Sequence, residues 1–511
     1  MDSSKTNSLS RWFAAHYGVL AAGGLALAFF GVNLWLQVAK WHTFHYATFD
    51  YANVMSILDE VRSGRFDFLD AAHLYGAALC QAYVLYFLCY FFVPSPYTLM
   101  VIVAAVFGLA VFCVYVAARP LFRTPRWPLL LTLFMALNPF LIVASLAGFR
   151  QNMIVVPAAL LAFAAYQRRR PIAYVVAVII ACAAQANITP GILLLGFWIL
   201  WRRRDRWFGR ATVFAAAGWL VLNAVIYLAV RSLSDIEPPA NMLHLTAYGE
   251  SPVDFLRAFW ERPGFVLENL FYWRNGTFLV LLLSLAGLPL ISPAWLIAAL
   301  PELGYMLVST YGLVELDPRT AWAVRFMNPL FSHFNTGLVL TLPFFIIASL
   351  EGAARLGHWG HARWGEAAGK WAAVLLVLAG FLSFYFLTPV DYGPVPLTRA
   401  AQGRSLTPSA HDDLRGEILD SLDANRSYLM QFEFYFFAPR VRHRALLSNV
   451  AYDDEGYDFV LVDEKGSCPH PGPAECAALR ERLTTDPRFE LAWDKDGIRL
   501  YRPRATPAVT P

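Results

Sequence analysis

The residues that most suggest chemistry lie in an acidic and aromatic segment that follows the first long apolar run. Asp50 stands there between Phe49 and Tyr51. A carboxylate held among aromatic rings near a membrane surface is partly desolvated, which suits a general base. An interfacial polar residue among aromatic membrane anchors would have the same surroundings, so both interpretations of Asp50 stay open.

Two further acidic side chains and a histidine follow in the same segment. Asp59 and Glu60 are adjacent, and His73 opens the next apolar run. We expect all three to be available for binding a polar substrate. For Asp59 and Glu60 the alternative is a solvated helix face.

Four more candidates stand next to or inside later apolar runs. Arg150 is the only basic residue of a short turn, and its guanidinium suits a phosphate group, a lipid headgroup or a contact with the C-terminal segment. Asn187 precedes Pro190, where it can bind substrate or satisfy backbone groups that the proline leaves unpaired. Glu302 lies inside an apolar run, where an ionisable residue is costly and usually functional. His333 precedes another apolar run and serves either a substrate or the structure.

The familiar local motifs of soluble enzymes do not occur in this sequence. We find no glycine-rich nucleotide loop, no nucleophile elbow and no histidine motif for a metal ion. We therefore expect neither a metal nor a cofactor, and a site built from isolated polar residues.

Composition places these candidates in a membrane protein. Of 511 residues, 58% are apolar and only 15% are charged, which excludes a single soluble globule and a disordered chain. The net charge of +4 divides unevenly, because residues 389–511 carry −4 and the rest carries +8. No basic surface indicates nucleic acid as a partner.

Eleven apolar runs are candidates for membrane crossings, since about 20 residues are needed to span the hydrocarbon core. They lie near 17–38, 97–118, 128–147, 152–166, 171–187, 188–201, 211–230, 277–292, 294–311, 336–350 and 371–388. The run 73–93 is interpreted instead as an interfacial or re-entrant helix, because counting it would invert every later basic cluster. Lys and Arg concentrate in alternate short connections, which predicts a cytoplasmic N-terminus and an outer C-terminal segment.

The predicted organisation is a polytopic α-helical membrane domain followed by a small α/β domain. The membrane domain covers 1–388, with outer loops at 39–96 and 231–275. A proline-rich linker covers 389–408, and an extracytoplasmic, periplasmic domain covers 409–504. We expect a multi-pass protein of the bacterial inner membrane, anchored by an uncleaved first helix.

Within the C-terminal domain, apolar periodicity predicts helices and strands. The expected elements are a helix at His411–Leu422, a strand at Tyr457–Asp463, a helix at Pro473–Leu483 and a hairpin at Phe489–Trp493 and Gly497–Tyr501. Cys468 and Cys476 lie on the outer side, where an oxidising compartment permits a disulfide without requiring one.

Several short motifs resemble those of the DUF2079 family of polytopic membrane proteins, over roughly 40–502. They are Phe49-Asp50-Tyr51, Pro94-Ser95-Pro96, Asn138-Pro139, Phe149-Arg150, Leu290-Ile291-Ser292-Pro293, Ala299-Leu300-Pro301, Ser332-His333-Phe334, Leu342-Pro343-Phe344 and Val462-Asp463. The family is similar in layout to the GT-C class of membrane glycosyltransferases.

The resemblance implies sugar transfer from a polyprenyl-phosphate donor at the outer membrane face. It also implies an acidic residue of the first outer loop as the base, a role that Asp50 matches by position. The hypothesis is a GT-C-like glycosyltransferase whose partners are membrane lipids, the polyprenyl-phosphate sugar donor and an unknown acceptor.

The alternative hypothesis is a non-catalytic membrane protein, either a lipid-carrier transporter or an envelope assembly partner. A transporter would need polar residues along a path through the bilayer. Gln185, Asn187 and Glu302 are the candidates for such a path.

Overall fold

A computed structural model of the chain divides into two compact units. It describes residues 3–44, 55, 58, 62, 83–146, 148–150, 152–202, 205–233, 252–270, 277–308, 334–387, 408–435, 437–438, 441, 443–447, 452, 456–466 and 473–504. The first unit comprises 1–34, 69–93 and 98–404, and the second comprises 35–68, 94–97 and 405–511. The second unit thus joins the end of the first helix and parts of the first loop to the C-terminal domain.

The first unit is helical throughout its described residues. Its elements are α1 (Ser3–His42, continuing into the second unit), α2 (Tyr83–Phe92), α3 (Pro96–Ala118), α4 (Arg126–Ala136), α5 (Pro139–Leu146), α6 (Val155–Gln167), α7 (Pro171–Ala184), α8 (Thr189–Arg202), α9 (Arg206–Leu233), α10 (Pro252–Glu261), α11 (Pro263–Leu270), α12 (Thr277–Ser284), α13 (Leu288–Ile291), α14 (Leu300–Val308) and α15 (Phe334–Leu387). Short 3-10 segments cover Arg119–Leu121, Ala186–Ile188 and Pro293–Ala299.

Four helical stretches among the described residues are long and apolar enough to cross a membrane. They are His16–His42, Pro96–Leu121, Arg206–Ile226 and Val339–Arg363. The pair α4 and α5, bent by 55°, makes a fifth if it counts as one span. Large apolar side chains such as Phe214 and Leu27 are 75% and 71% exposed, as expected for residues that face lipid.

The other predicted spans are shorter or broken in the described structure. Helices α6 and α7 have 13 and 14 residues, fewer than a straight crossing requires. The predicted run 277–292 divides into α12 and α13 around Gly287, whose φ of 67° is left-handed. The runs 336–350 and 371–388 both lie in α15, which is interrupted at Gly365. Among the described residues, four to five crossings are therefore supported by length and composition.

Buried polar side chains join the helices of the first unit in hydrogen-bonded pairs. Asn33 Nδ2 donates to Ser145 Oγ at 2.5 Å, and Asn138 Nδ2 donates to Ser284 Oγ at 3.0 Å. Asn138 Oδ1 also accepts from the backbone N–H groups of Phe140 and Leu141, which caps α5 directly after the bend. Since the following residue is Pro139, the bend has a local cause in the Asn-Pro pair.

The C-terminal part of the second unit is a five-stranded sheet between helices. Its elements are α16 (Ala410–Ser421), β1 (Ser427–Met430), α17 (Phe432–Tyr435), β2 (His443–Leu446), β3 (Phe459–Asp463), α18 (Pro473–Thr485), β4 (Phe489–Lys495) and β5 (Ile498–Pro503). The strand order is β2-β1-β3-β5-β4. Strands β1, β2 and β3 are parallel, whereas β5 is antiparallel to β3 and β4.

Alternating side chains of the central strands supply two cores, one on each face of the sheet. Val460 and Val462 pack with Leu479 of α18, and Leu461 packs with Ile418 of α16. Cys476 is fully buried in the first core and is disulfide-bonded. Cys468, its predicted partner, lies outside the described residues. The predicted helices, strand and hairpin have counterparts in the structure, whereas β1 and β2 were missed.

An ion pair at the end of α18 makes the C-terminal domain sensitive to acid. Asp486 accepts hydrogen bonds from Arg488 and from the Tyr452 hydroxyl, and these hold the pKa of its carboxyl well below the usual range. Because the folded pKa is depressed, the stabilisation is complete above the unfolded value of about 4 and is lost as the pH falls below it.

We expect Asp486→Asn to lower the stability of the C-terminal domain at neutral pH and to flatten its pH dependence below about pH 4. Urea unfolding of the full chain in detergent, followed by proteolysis of the C-terminal domain at several pH values, measures this. Parallel pH curves for the wild type and the variant would contradict the assignment.

Candidate functional site

Arg150 occupies a tight turn between α5 and α6 in the first unit. Gly148 adopts a φ of 93°, a conformation that suits glycine, and it lets the chain reverse. Phe149 is fully buried and contacts the Tyr86 ring edge to face at 5.0 Å. The Arg150 carbonyl accepts the Met153 N–H at 3.2 Å, so the turn is fixed on both sides of the arginine.

The turn of Arg150 is hydrogen-bonded to the turn that carries Asn187. Asn152, which is 1% exposed, donates through Nδ2 to Oε1 of Gln185 at 2.7 Å. Gln185 ends α7 in an extended conformation and begins the 3-10 segment Ala186–Ile188. Asn187 lies at the centre of that segment and is exposed.

Glu302 reaches the same region because α8 and the segment Pro293–Ala299 touch backbone to backbone. A Cβ atom on Gly191 would lie 1.9 Å from the Ala298 carbonyl oxygen, so only glycine permits this approach. Helix α14 starts at the next residues and contacts both α8 and the Ala186–Ile188 segment. Glu302 stands in its first turn and is 6% exposed.

A buried carboxylate holds the Pro293–Ala299 segment against α15. Glu351 accepts hydrogen bonds from Ser292 Oγ at 2.5 Å and from Trp295 Nε1 at 3.2 Å, and it lies 3.5 Å from Arg355. Trp295 is 2% exposed and contacts the Phe163 ring at 5.0 Å. These contacts join the segment that precedes α14 to α15 and to α6.

The structure therefore connects three of the predicted site residues through contacting elements. Arg150, Asn187 and Glu302 supply a cation, an amide and a carboxylate on neighbouring turns of one unit. A guanidinium suits an anionic phosphate, and an amide and a carboxylate suit hydroxyl groups. Asp50, Asp59, Glu60, His73 and His333 lie outside the described residues.

The described ranges contain no group of three or more His, Cys, Asp or Glu side chains that could hold a metal ion.

A comparison with protein-family models identifies the family of this chain. A model described as a predicted membrane protein, DUF2079, matches residues 77–396. The chain belongs to the DUF2079 family. No curated protein matches it.

The DUF2079 match covers Arg150, Asn187, Glu302 and His333, and it leaves out residues 39–76 of the first loop and the C-terminal domain. It is narrower than the range of 40–502 expected from the short motifs. The four candidates of the first loop, Asp50, Asp59, Glu60 and His73, thus stand outside the matched part of the chain.

Sequence reasoning missed the residues that hold this DUF2079 site together. Asn152 and Glu351 were not among the candidates, and Gln185 was considered only for a transport path. The structure places Glu351 inside the candidate span Val339–Arg363. A signal existed for it, since a carboxylate next to a long apolar run is costly and needs partners.

We expect Asn152→Leu to destabilise the first unit by about 1–3 kcal/mol, because Gln185 would lose a buried hydrogen-bond partner. Thermal unfolding of the purified protein in detergent measures this loss. The double variant Asn152→Leu/Gln185→Leu should recover part of it, since neither amide is then left unpaired. Purely additive effects would show that the two turns are not coupled.

Proposed function

We propose that this DUF2079 protein is a GT-C-like membrane glycosyltransferase that uses a polyprenyl-phosphate-linked sugar at the outer face of the membrane. The observation that carries the proposal is the connection of Arg150, Asn187 and Glu302 through contacting turns. The similarity in layout between the DUF2079 family and GT-C enzymes supports the same reaction class.

In the proposed reaction, Arg150 balances the charge of the departing polyprenyl phosphate. The bond between the anomeric carbon and the phosphate oxygen breaks, and a bond to an acceptor hydroxyl forms. A donor group placed where negative charge develops lowers the barrier of such a displacement. Asn187 and Glu302 contact sugar hydroxyls in this proposal, and His333, Asp59, Glu60 and His73 also contact substrate.

Asp50 receives the proton of the acceptor hydroxyl in this proposal. The assignment rests on the sequence of the first loop, where a carboxylate stands between two aromatic residues. A positioned carboxylate base contributes by taking the proton as the nucleophile attacks.

The proposed location is the bacterial inner membrane. The distribution of Lys and Arg among short connections supports a cytoplasmic N-terminus and a periplasmic C-terminal domain, with the eleven apolar runs of the sequence as the proposed crossings. Under this topology, both the first loop and the C-terminal domain reach the side on which lipid-linked sugars are used.

Glycolipid and envelope-glycan profiling of a deletion strain tests the reaction class. A sugar modification that disappears on deletion and returns with the wild-type gene, but not with Arg150→Gln, is expected. Arg123→Gln, in a different connection, serves as the matched control and should restore the modification. An unchanged glycan profile in the deletion strain would overturn the proposal.

The alternative function is a non-catalytic one, either lipid-carrier transport or envelope assembly. The buried polar residues of the described helices add Asn33, Asn138 and Glu351 to those expected from sequence, and each bonds a neighbouring helix or segment. Such pairs stabilise helix packing. Accumulation of an unmodified lipid carrier on one membrane face in the deletion strain, with all glycosyl linkages intact, would favour transport.

A further inference from the structure

The end of α1 packs against the C-terminal domain within the second unit. The Trp41 and Phe44 rings lie 4.7 and 4.6 Å from the Phe437 ring, measured between centroids. Phe437 is only 8% exposed. Tilted aromatic pairs at these distances are attractive beyond the area that they bury.

Phe44 adopts an unfavourable backbone conformation at this contact. Its φ is 55°, in the left-handed region that helix ends usually assign to glycine or asparagine. The Phe44 N–H donates to the Trp41 carbonyl at 3.1 Å, which closes the last turn. A phenylalanine in this position indicates that the ring contacts compensate for the strain.

Arg415 of the C-terminal domain also contacts the Phe44 ring. Its guanidinium carbon lies 5.5 Å from the centroid of Phe44, a cation–π distance. Arg415 donates through Nε and Nη2 to Oδ2 of Asp463 at 2.7 and 2.5 Å, and Asp463 is fully buried. Asp412 accepts a further hydrogen bond from Nη1 at 3.2 Å. These hydrogen bonds fix the position of the guanidinium next to the Phe44 ring.

We propose that Arg415 and Phe437 form an intramolecular docking surface that holds the start of the first loop on the C-terminal domain. The loop and the C-terminal domain then lie on the same side of the membrane, and the chain between them crosses it an even number of times. Asp50 follows Phe44 by six residues, so its Cα stays within about 22 Å of the Phe44 Cα. This inference goes beyond the proposed function and does not depend on it.

A crosslinking experiment on the full chain in membranes tests the docking surface. Phe44 is replaced by the photoreactive residue p-benzoylphenylalanine, which keeps an aromatic ring at this position, and Phe437 is left unchanged. An engineered protease site in 389–408 separates the two parts unless irradiation has joined them. The same photoreactive residue in place of Leu491, on strand β4 at the edge of the sheet away from β1 and β2, is the matched control.

We expect the photoreactive residue at position 44 to keep the two parts joined after cleavage and the one at position 491 to leave them separate. Equal crosslinking yields at the two positions would overturn the proposal. Phe44→Gly, which keeps the helix end but removes the ring, should accelerate tryptic cleavage after the exposed Arg62 about tenfold, whereas Phe44→Tyr should not. Unchanged cleavage in Phe44→Gly would also overturn it.

The side of the membrane on which the first loop and the C-terminal domain lie provides a second test of the docking surface. Tags placed near residue 60 and after residue 511 should both react, or both be protected, when sealed vesicles are treated with a membrane-impermeant reagent. Tags on opposite sides would exclude the docking surface, whatever the enzymatic activity.

Discussion

Replacing Asp50 with asparagine is expected to reduce sugar transfer by roughly 10²–10⁴-fold, the usual contribution of a general base. Asparagine has nearly the same size and keeps a hydrogen-bonding oxygen, but it cannot take the proton of an attacking hydroxyl. Membrane insertion and the docking of the C-terminal domain should be unchanged. The measurement is glycan profiling of the deletion strain complemented with the Asp50→Asn gene, alongside quantification of the protein in membranes.

Asp67→Asn is the matched control for this experiment, because it removes a carboxylate from the same loop without touching the aromatic segment. Its transfer activity should stay near that of the wild type. Normal transfer in Asp50→Asn would exclude Asp50 as the base. It would leave the contacting turns of Arg150, Asn187 and Glu302 to be tested separately by Arg150→Gln.

The second large expected effect is a loss of stability of the C-terminal domain when its buried ion pair is broken. Arg415→Met should lower the free energy of unfolding of this domain by about 3–5 kcal/mol, because the Asp463 carboxylate would remain buried without its main cation. Urea unfolding of the full chain in detergent, read by pulse proteolysis of the C-terminal domain, measures the change.

Two further variants distinguish the cost of leaving a buried charge unpaired from the cost of losing the packing of Arg415. Arg415→Met/Asp463→Asn should recover a large part of the stability, since no unpaired buried charge remains. Arg426→Met breaks an exposed pair with Asp458 at 3.5 Å and should cost at most about 1 kcal/mol. A cost for Arg415→Met as small as that for Arg426→Met would show that the pair with Asp463 contributes little.

Local sequence patterns predicted helices and strands correctly where apolar residues recur with one clear period over most of the element. The helix at His411–Leu422 corresponds to α16, and its start is fixed by a capping box between Ser409 and Asp412. The hairpin corresponds to β4 and β5, although its turn is Asp496-Gly497, with φ values of 54° and 85°, and not the three residues 494–496.

The missed elements are short and lack a periodic signal. Strands β1 and β2 have four residues each, and their identity depends on pairing with each other and with β3. The bend at Asn138-Pro139 was likewise hidden inside one apolar run. Propensity over four residues is weaker than the tertiary contacts that decide such segments.

For the candidate site, the sequence indicated residues but not their grouping. Arg150, Asn187 and Glu302 were chosen because polar side chains are costly among apolar ones. Their connection depends on the Asn152–Gln185 hydrogen bond and on the close approach of Gly191 to Ala298. Contacts between residues so far apart in the chain cannot be predicted from a local sequence pattern.

The membrane class of this protein, its helical first part and its small C-terminal sheet domain follow from the sequence alone, because apolar excess and short-range periodicity are properties of the chain itself. Only the tertiary structure decided that the end of the first helix belongs with the C-terminal domain. Phe44 and Phe437 lie 4.6 Å apart between ring centroids but almost four hundred residues apart in the chain. That contact exists because both rings lose water in the folded state, and burial is decided by the fold as a whole.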